Sequence, residues 1–388
     1  MFNKKDNLYW TLIILLVIVF SVSNITLKIA KAVSQPENPH RRRILVIAPH
    51  PDDEILSCAK VISEALNNGE KIKVLLMTNG DIPQFPTSKN PYKGFITNTG
   101  VHDVNENGYI DNVDYCYQRQ EETIKADIKL GLDAKDIIFL GYPGGNLWRL
   151  YNFGYNGISF DIGHPFDTAF ALNPGTGFVS PYKNAYHSLT NSNNPTVHSR
   201  SYIINDLKDI FRNFKPTDIY APIEFDDNSN HKSTTIFIRV ALQELKDSKE
   251  EFAFNVRLHR YLIHFSGNNI SYPDPNNPKL GLRNDKNCEA VKWEDTKIGM
   301  APNGSIQLDS DFKKLKHEII DYYSTQYPRK KILQPPCNRN TEVLWMHQYV
   351  KDREEWWDLP LEIDTDFPIF EKLSLKDKTL FFLKKLFH

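Results

Sequence analysis

Beyond the N-terminal segment, hydrophobic positions become continuous at Ile44-Leu45-Val46-Ile47-Ala48, a run that suits a strand buried on both faces of a parallel sheet. Over 54–68, Ile55, Ala59, Ile62 and Leu66 recur at helical spacing until Gly69 ends the pattern, and an apolar strand is predicted over 72–78. A strand, a helix and a strand within about 35 residues make a βαβ unit. The alternation resumes with helices over 121–130 and 201–214 and strands over 137–140 and 218–221. The fold class is therefore α/β, with a mainly parallel sheet flanked by helices. Beyond about residue 250 the period weakens, leaving a strand-like run over 261–265, a helix over 312–323 and an aromatic segment around Trp345, Trp356 and Trp357. His259 and His264, near the strand-like run, read as structural.

Two stretches break this rhythm, 79–116 and 142–198, both rich in Asn, Gly, Pro, Tyr and Phe. They are too long for ordinary connections, and their aromatic content argues against disorder, so they read as insertions that wall a substrate groove. The chain then divides into an N-terminal segment 1–32, a polar Arg-rich linker 33–43, a domain over 44–330 carrying both insertions, and a C-terminal extension 331–388 packed on the domain. At the N-terminus, Lys4 and Lys5 precede an apolar run from Leu8 to Val22, the pattern of an export signal. Two fates are open: a retained signal anchor with the catalytic region outside the cytoplasm, or cleavage near Ser21-Val22-Ser23 or Ala30-Lys31-Ala32 to a secreted or periplasmic chain. In an oxidising compartment Cys288 and Cys337, both in polar loop-like sequence, form the candidate disulfide. Cys58 falls on the apolar face of a predicted helix, Cys116 is uncommitted, and no C-x-x-C spacing suggests a cysteine metal site.

Composition narrows the functional classes. Forty-seven basic residues against 48 acidic ones give a net charge of -1, with no basic footprint for nucleic acid. A local site is expected instead, and Ala48-Pro49-His50-Pro51-Asp52-Asp53-Glu54 supplies its chemistry. The segment lies between the first strand and the first helix, at the carboxyl edge where open α/β sheets bind ligands. One imidazole and several carboxylates within five residues suit a divalent metal. If Asp53 turns toward the ion, its neighbour Asp52 points elsewhere and is free to take a proton from water. Acidic residues also favour a helix start, but that does not account for His50 at the strand terminus.

The same string after an apolar strand resembles the signature of the PIG-L/LmbE-like zinc-dependent de-N-acetylases. The resemblance continues through Thr78-Asn79-Gly80-Asp81, Arg119 and Glu122, Leu140-Gly141-Tyr142-Pro143, Lys215-Pro216-Thr217-Asp218-Ile219-Tyr220-Ala221-Pro222 and Tyr323-Ser324-Thr325-Gln326, covering roughly 43–330 outside the insertions. It implies a Rossmann-like fold, a zinc site of His50, Asp53 and His231, and Asp52 as general base. Arg119 is a candidate substrate contact. The implied reaction is removal of the N-acetyl group from an N-acetylated sugar or GlcNAc-type glycan, releasing acetate. Two departures touch the substrate side: Asn228 stands where many members have a histidine assisting the oxyanion, and Gly144 where an aspartate contacts the sugar. Asn228 can donate a hydrogen bond but cannot shuttle a proton near neutral pH. These departures keep open a second reading, a carbohydrate-binding protein with impaired catalysis. A phosphoester hydrolase is disfavoured, since no second His and Asp cluster supplies a two-metal site.

Residues 103–114 match an EF-hand-type calcium loop. Asp103, Asn105, Asn107, Asp111 and Asp114 offer side-chain oxygens, Tyr109 its carbonyl, Gly108 the turn and Ile110 the apolar position. A single such loop implies a structural calcium that stiffens the first insertion.

Overall fold

The computed structural model describes residues 41–80, 112–142, 144, 147–153, 171–173, 177–180, 182, 184–186, 198–265, 270–273, 282–284, 287, 289–326, 331–333 and 342–359. The export segment, most of the calcium loop, and Cys288 and Cys337 lie outside them; Cys58 and Cys116 are buried free thiols. No helix among the described residues is long and apolar enough to cross a membrane.

In chain order the elements are β1 (Arg43–Ala48), α1 (Asp53–Asn67), β2 (Lys71–Thr78), α2 (Asn112–Leu130), β3 (Ile137–Tyr142), α3 (Leu147–Phe153), β4 (Ala171–Asn173), β5 (Gly177–Val179), α4 (Arg200–Phe214), β6 (Asp218–Pro222), α5 (Ser229–Asp247), α6 (Glu251–Phe254), β7 (Arg257–Tyr261), β8 (Ile270–Ser271), β9 (Arg283–Asn284), β10 (Gly304–Gln307), α7 (Ser310–Ile320), β11 (Lys331–Leu333), β12 (Glu342–Leu344) and β13 (Arg353–Asp358). Seven strands form the central sheet in the order β10-β13-β7-β6-β1-β2-β3. The five from β7 to β3 run parallel, and β13 and β10 add an antiparallel edge. This is the expected α/β class, with helices covering both faces.

β1 shows why its sequence has no polar alternation. Ile44, Val46 and Ala48 pack into one core with Ile55, Ile62 and Phe312, while Leu45 and Ile47 pack into the other with Phe211 and Phe237. Both sides of the strand are dry, so every position is apolar. The helices α1, α2 and α7 contribute to the first core, and α3, α4 and α5 to the second.

Three differences from the sequence reading have local causes. α2 begins at Asn112, nine residues before its predicted start, so the end of the first insertion is helical. Asp114, Arg119, Gln120, Glu122, Thr123 and Asp127 are all buried in it, so no clean apolar stripe marks the helix. The strand-like run over 261–265 is instead β7 at Arg257–Tyr261, whose Arg260 and His259 are buried through partners: Arg260 on Glu224, His259 on Asp218 and Asp358. The segment assigned to an extension packed on the domain contains β13, which is hydrogen-bonded into the central sheet beside β7.

β13 also reaches across to α1. Glu354 accepts the backbone N–H groups of Lys60 (2.9 Å) and Val61 (3.3 Å) and pairs with fully buried Lys316, 2.7 Å away, which in turn donates to the Leu56 carbonyl at 2.9 Å. Removing one partner of such a pair strands a buried charge. Glu354→Ala is expected to cost about 3–5 kcal/mol in denaturant unfolding, whereas Lys125→Ala, which removes the exposed pair with Glu121, should change stability by less than about 1 kcal/mol.

Candidate active site

Strand order reverses between β1 and β6: from β1 the chain builds outward through β2 and β3, and from β6 in the other direction through β7. Ile44, Leu45 and Val46 pair in register with Asp218, Ile219 and Tyr220, so the carboxyl ends of β1 and β6 open side by side. A crevice at that point is where open α/β sheets bind ligands. His50 follows β1, and His231 lies in the first turn of α5 after β6.

There the two imidazoles meet one carboxylate. Asp53 Oδ2 lies 3.1 Å from His50 Nδ1 and 3.1 Å from His231 Nε2, and the two ring nitrogens are 3.3 Å apart. These three residues are the described group of His, Cys, Asp and Glu side chains able to hold one metal ion. The donor chemistry fits such an ion: two imidazole nitrogens and one carboxylate oxygen form the three-ligand set that leaves a further coordination position open. Asp226, which the sequence reading did not single out, sits behind His231 with Oδ2 at 3.1 Å from Nδ1, fixing the ring with Nε2 toward Asp53. Asn230 Nδ2 lies 2.9 Å from His50 Nε2.

Burial and charge set the protonation of this cluster. Burial disfavours a charged His231, yet the carboxylates of Asp226 and Asp53 overcome it and push its pKa up to about 10. Burial likewise opposes ionisation of Asp53, but the His231 and His50 rings hold its carboxyl well below the usual range. His50, with less compensation, falls to about 4 through burial. Asp52 moves the other way: burial and then the neighbouring Asp53 charge raise it well above the ordinary carboxylate value, with Arg119 opposing.

Asp52 and Asp53 diverge as expected of adjacent residues. The divergence requires an unusual backbone, with Asp52 at φ 123° and ψ -33°, a conformation that L-residues rarely adopt. Its carbonyl accepts the N–H groups of Ile55 (3.0 Å) and Leu56 (2.9 Å), and its own N–H donates to Glu54 Oε2 at 3.0 Å. Arg119 completes the support, donating to the carbonyls of Gly80 and Pro51, each at 2.7 Å, and to Asp52 Oδ2 at 3.4 Å. Arg119, the candidate substrate contact, lines the pocket and commits both terminal nitrogens to the loop they brace. Gly80 makes room for them, since at φ +63° a Cβ there would stand 1.6 Å from Arg119 Nη1.

His50 and Asp53 line a pocket of about 400 Å³, with His231 fully buried against them. Asp52, Arg119, Asn228 and Gly144 also line it, and Ile263, His264, Gln326 and Trp345 come from distant parts of the chain. Asn228 caps α5, its Oδ1 accepting from Asn230 N–H at 2.8 Å. His259 is structural, stacked on Tyr220 with ring centroids 4.5 Å apart. His264 lines the pocket, and its ring packs against that of His231. Of the calcium-loop residues, Asp114 is buried in the first turn of α2, and Asp103, Asn105, Asn107, Tyr109 and Asp111 lie outside the described residues.

With this geometry in place, comparison with known proteins assigns the class. The profile of the GlcNAc-PI de-N-acetylase family, PIG-L, matches residues 45–242, which span β1 to α5 and contain His50, Asp52, Asp53 and His231. The chain belongs to this family. No curated protein matches it significantly. Among solved structures it is similar to the N,N'-diacetylchitobiose deacetylase from Pyrococcus horikoshii, with 13% identity, TM-score 0.44, and 89% of this chain and 92% of the other covered. It is also similar to teicoplanin deacetylase Orf2 in its zinc inhibited form, with 16% identity, TM-score 0.39, and coverage of 74% and 85%.

If Arg119 braces the loop, deleting its charge should be felt in folding. Arg119→Met is expected to lower stability by about 2–4 kcal/mol in denaturant unfolding, because it leaves buried carbonyls unsatisfied. Gly80→Ala should act in the same direction by displacing the guanidinium.

Proposed function

We propose that this chain hydrolyses the N-acetyl group of an N-acetylated sugar, using a zinc ion held by His50, Asp53 and His231. The observation that carries this reading is the convergence of those three side chains beside a pocket that His50, Asp53 and Asp52 line. Family membership supports the reaction class, and the mixed nitrogen and oxygen donor set supports zinc. When bound, the metal supplies Lewis acidity toward the amide carbonyl and the attacking water.

The protein's own residues do the rest. Asp226 keeps His231 in the tautomer that offers Nε2 to the ion, and Asp53 bridges the two rings. Asp52 takes the proton released as water adds to the carbonyl carbon, then returns it to the amine nitrogen as the C–N bond breaks and acetate departs. Its strained backbone keeps that carboxylate on the pocket side while Asp53 faces the rings. Asn228, on the pocket wall, offers its amide N–H to the oxygen that gains charge. The pocket's size lies within the range of small-molecule sites and suits one sugar ring with its acetamido arm.

Two further proposals rest on sequence. Lys4, Lys5 and the apolar run after them support export, with the catalytic domain outside the cytoplasm and a glycan of the envelope or exterior as substrate. The oxygen pattern over 103–114 supports a structural calcium ion, with Asp114 contributed from the start of α2. Treatment with EGTA is then expected to lower Tm, with calcium but not magnesium reversing the fall.

The mechanism is tested with zinc-loaded protein and N-acetylglucosamine oligomers. Asp52→Asn is expected to keep its zinc and lose acetate release by about 10²–10⁴-fold; activity near wild type with full zinc would contradict the base assignment. Wild-type affinity for the sugar without any acetate release would favour the carbohydrate-binding reading. Asp226→Asn should weaken zinc binding by about 10–100-fold in a competitive chelator titration.

A further inference from the structure

Attack on an amide carbonyl places negative charge on its oxygen, and a site that speeds this step needs a donor already aimed at that position. The polar side chains of the pocket wall can be taken in turn. Arg119 gives its terminal nitrogens to Gly80, Pro51 and Asp52. Asn230 Nδ2 is set against His50 Nε2. Gln326 Nε2 lies 3.1 Å from the Tyr115 hydroxyl and 3.3 Å from Thr325 Oγ1. Asn228 is oriented by its capping bond, which leaves its Nδ2 as one open donor.

Ser229 and Trp345 also line the pocket, and His264 is a further donor, set beside the His50, Asp53 and His231 cluster. His264 lines the pocket, and neither ring nitrogen has a hydrogen-bond partner among the described residues. It packs edge-on against His231, ring centroids 4.7 Å apart and planes at 66°. Its backbone is equally well defined. The N–H groups of Ile263 and His264 donate to Asp226 Oδ2 at 3.0 and 2.9 Å, and the same oxygen meets His231 Nδ1 at 3.1 Å. One buried carboxylate thus positions both imidazoles. The second arrives from the end of β7, outside the part of the chain that the family profile matches.

We propose that His264 is a catalytic residue, donating a ring N–H to the N-acetyl carbonyl oxygen and holding the oxyanion formed there. The assignment rests on the deacetylase reading. As the water oxygen bonds to the carbonyl carbon, the carbonyl π pair moves onto oxygen, where His264 stabilises it without giving up its proton. The pair then re-forms the carbonyl as the C–N bond breaks and the amine leaves with the proton carried by Asp52. A fixed donor is worth most here because its orientation is set before the charge develops.

The experiment uses the zinc-loaded full chain and its His264→Phe, His264→Met and His264→Gln variants, with zinc content measured throughout. Methylphosphonate serves as the tetrahedral anion and N-acetylglucosamine as the planar amide. The phenylalanine and methionine variants are expected to retain zinc and bind N-acetylglucosamine within about threefold of wild type. They should bind methylphosphonate roughly tenfold or more weakly and lose at least as much in kcat, and His264→Gln should recover most of the methylphosphonate affinity. Unchanged methylphosphonate binding in zinc-replete variants overturns the proposal, as does loss of zinc in both apolar variants, which would make His264 a support for His231. Wild-type protein that binds N-acetylglucosamine but releases no acetate overturns the deacetylase reading instead, while the methylphosphonate comparison still decides whether His264 serves an anion.

Discussion

The active centre depends on the parallel pairing of β1 with β6, two strands some 170 residues apart in sequence that share a register and end on the same edge of the sheet. Neither terminus is a site alone. β1 delivers a histidine and two aspartates on a tight turn, and β6 delivers an aspartate and a histidine at the start of a helix. Only when the strands lie side by side do two imidazoles fall within 3.1 Å of one carboxylate oxygen. The apolar monotony of β1 fixes that pairing, because a strand with both faces buried can occupy only the interior of the sheet.

Concentrating ionisable groups in a buried crevice raises a second problem, which the structure meets by sharing partners. Asp226 serves His231 and two backbone N–H groups at once, and Arg119 serves two carbonyls and Asp52. Tyr323 donates to Glu54, whose pKa burial raises to about 7, so the acidic turn is braced from behind by the late tyrosine-serine-threonine-glutamine element. Glu122 of α2 holds that element in turn, accepting from Ser324 and Thr325. Residues far from the chemistry thus keep Asp52 in a strained backbone that would otherwise relax.

This sharing explains what could be read in advance. β1, α1 and β2 announce themselves because apolar burial alone specifies them, and His50, Asp52 and Asp53 stand out by density and by their place after a strand. His231 was reachable through resemblance, since an Asn-rich loop has no local signal for a buried histidine of this cluster. Asp226 could have been found by asking which carboxylate orients His231, a partner that metal-binding histidines generally have. His264 and Trp345 had no such route: their position depends on β7, β12 and the segment after it, where buried polar pairs blur the period. β13 is the extreme case. Arg353-Glu354-Glu355-Trp356 has no apolar run to announce a strand, and its Glu354 is buried only because Lys316 neutralises it inside the molecule.

The central claim concerns one ion and three side chains, so it is tested most directly by locating the ion. Crystals of residues 41–359 grown with zinc and measured on both sides of the zinc absorption edge are expected to show one anomalous peak, at about 2.0–2.2 Å from nitrogen atoms of His50 and His231 and an oxygen of Asp53. A peak elsewhere, or none at that position in zinc-saturated crystals, would contradict the account.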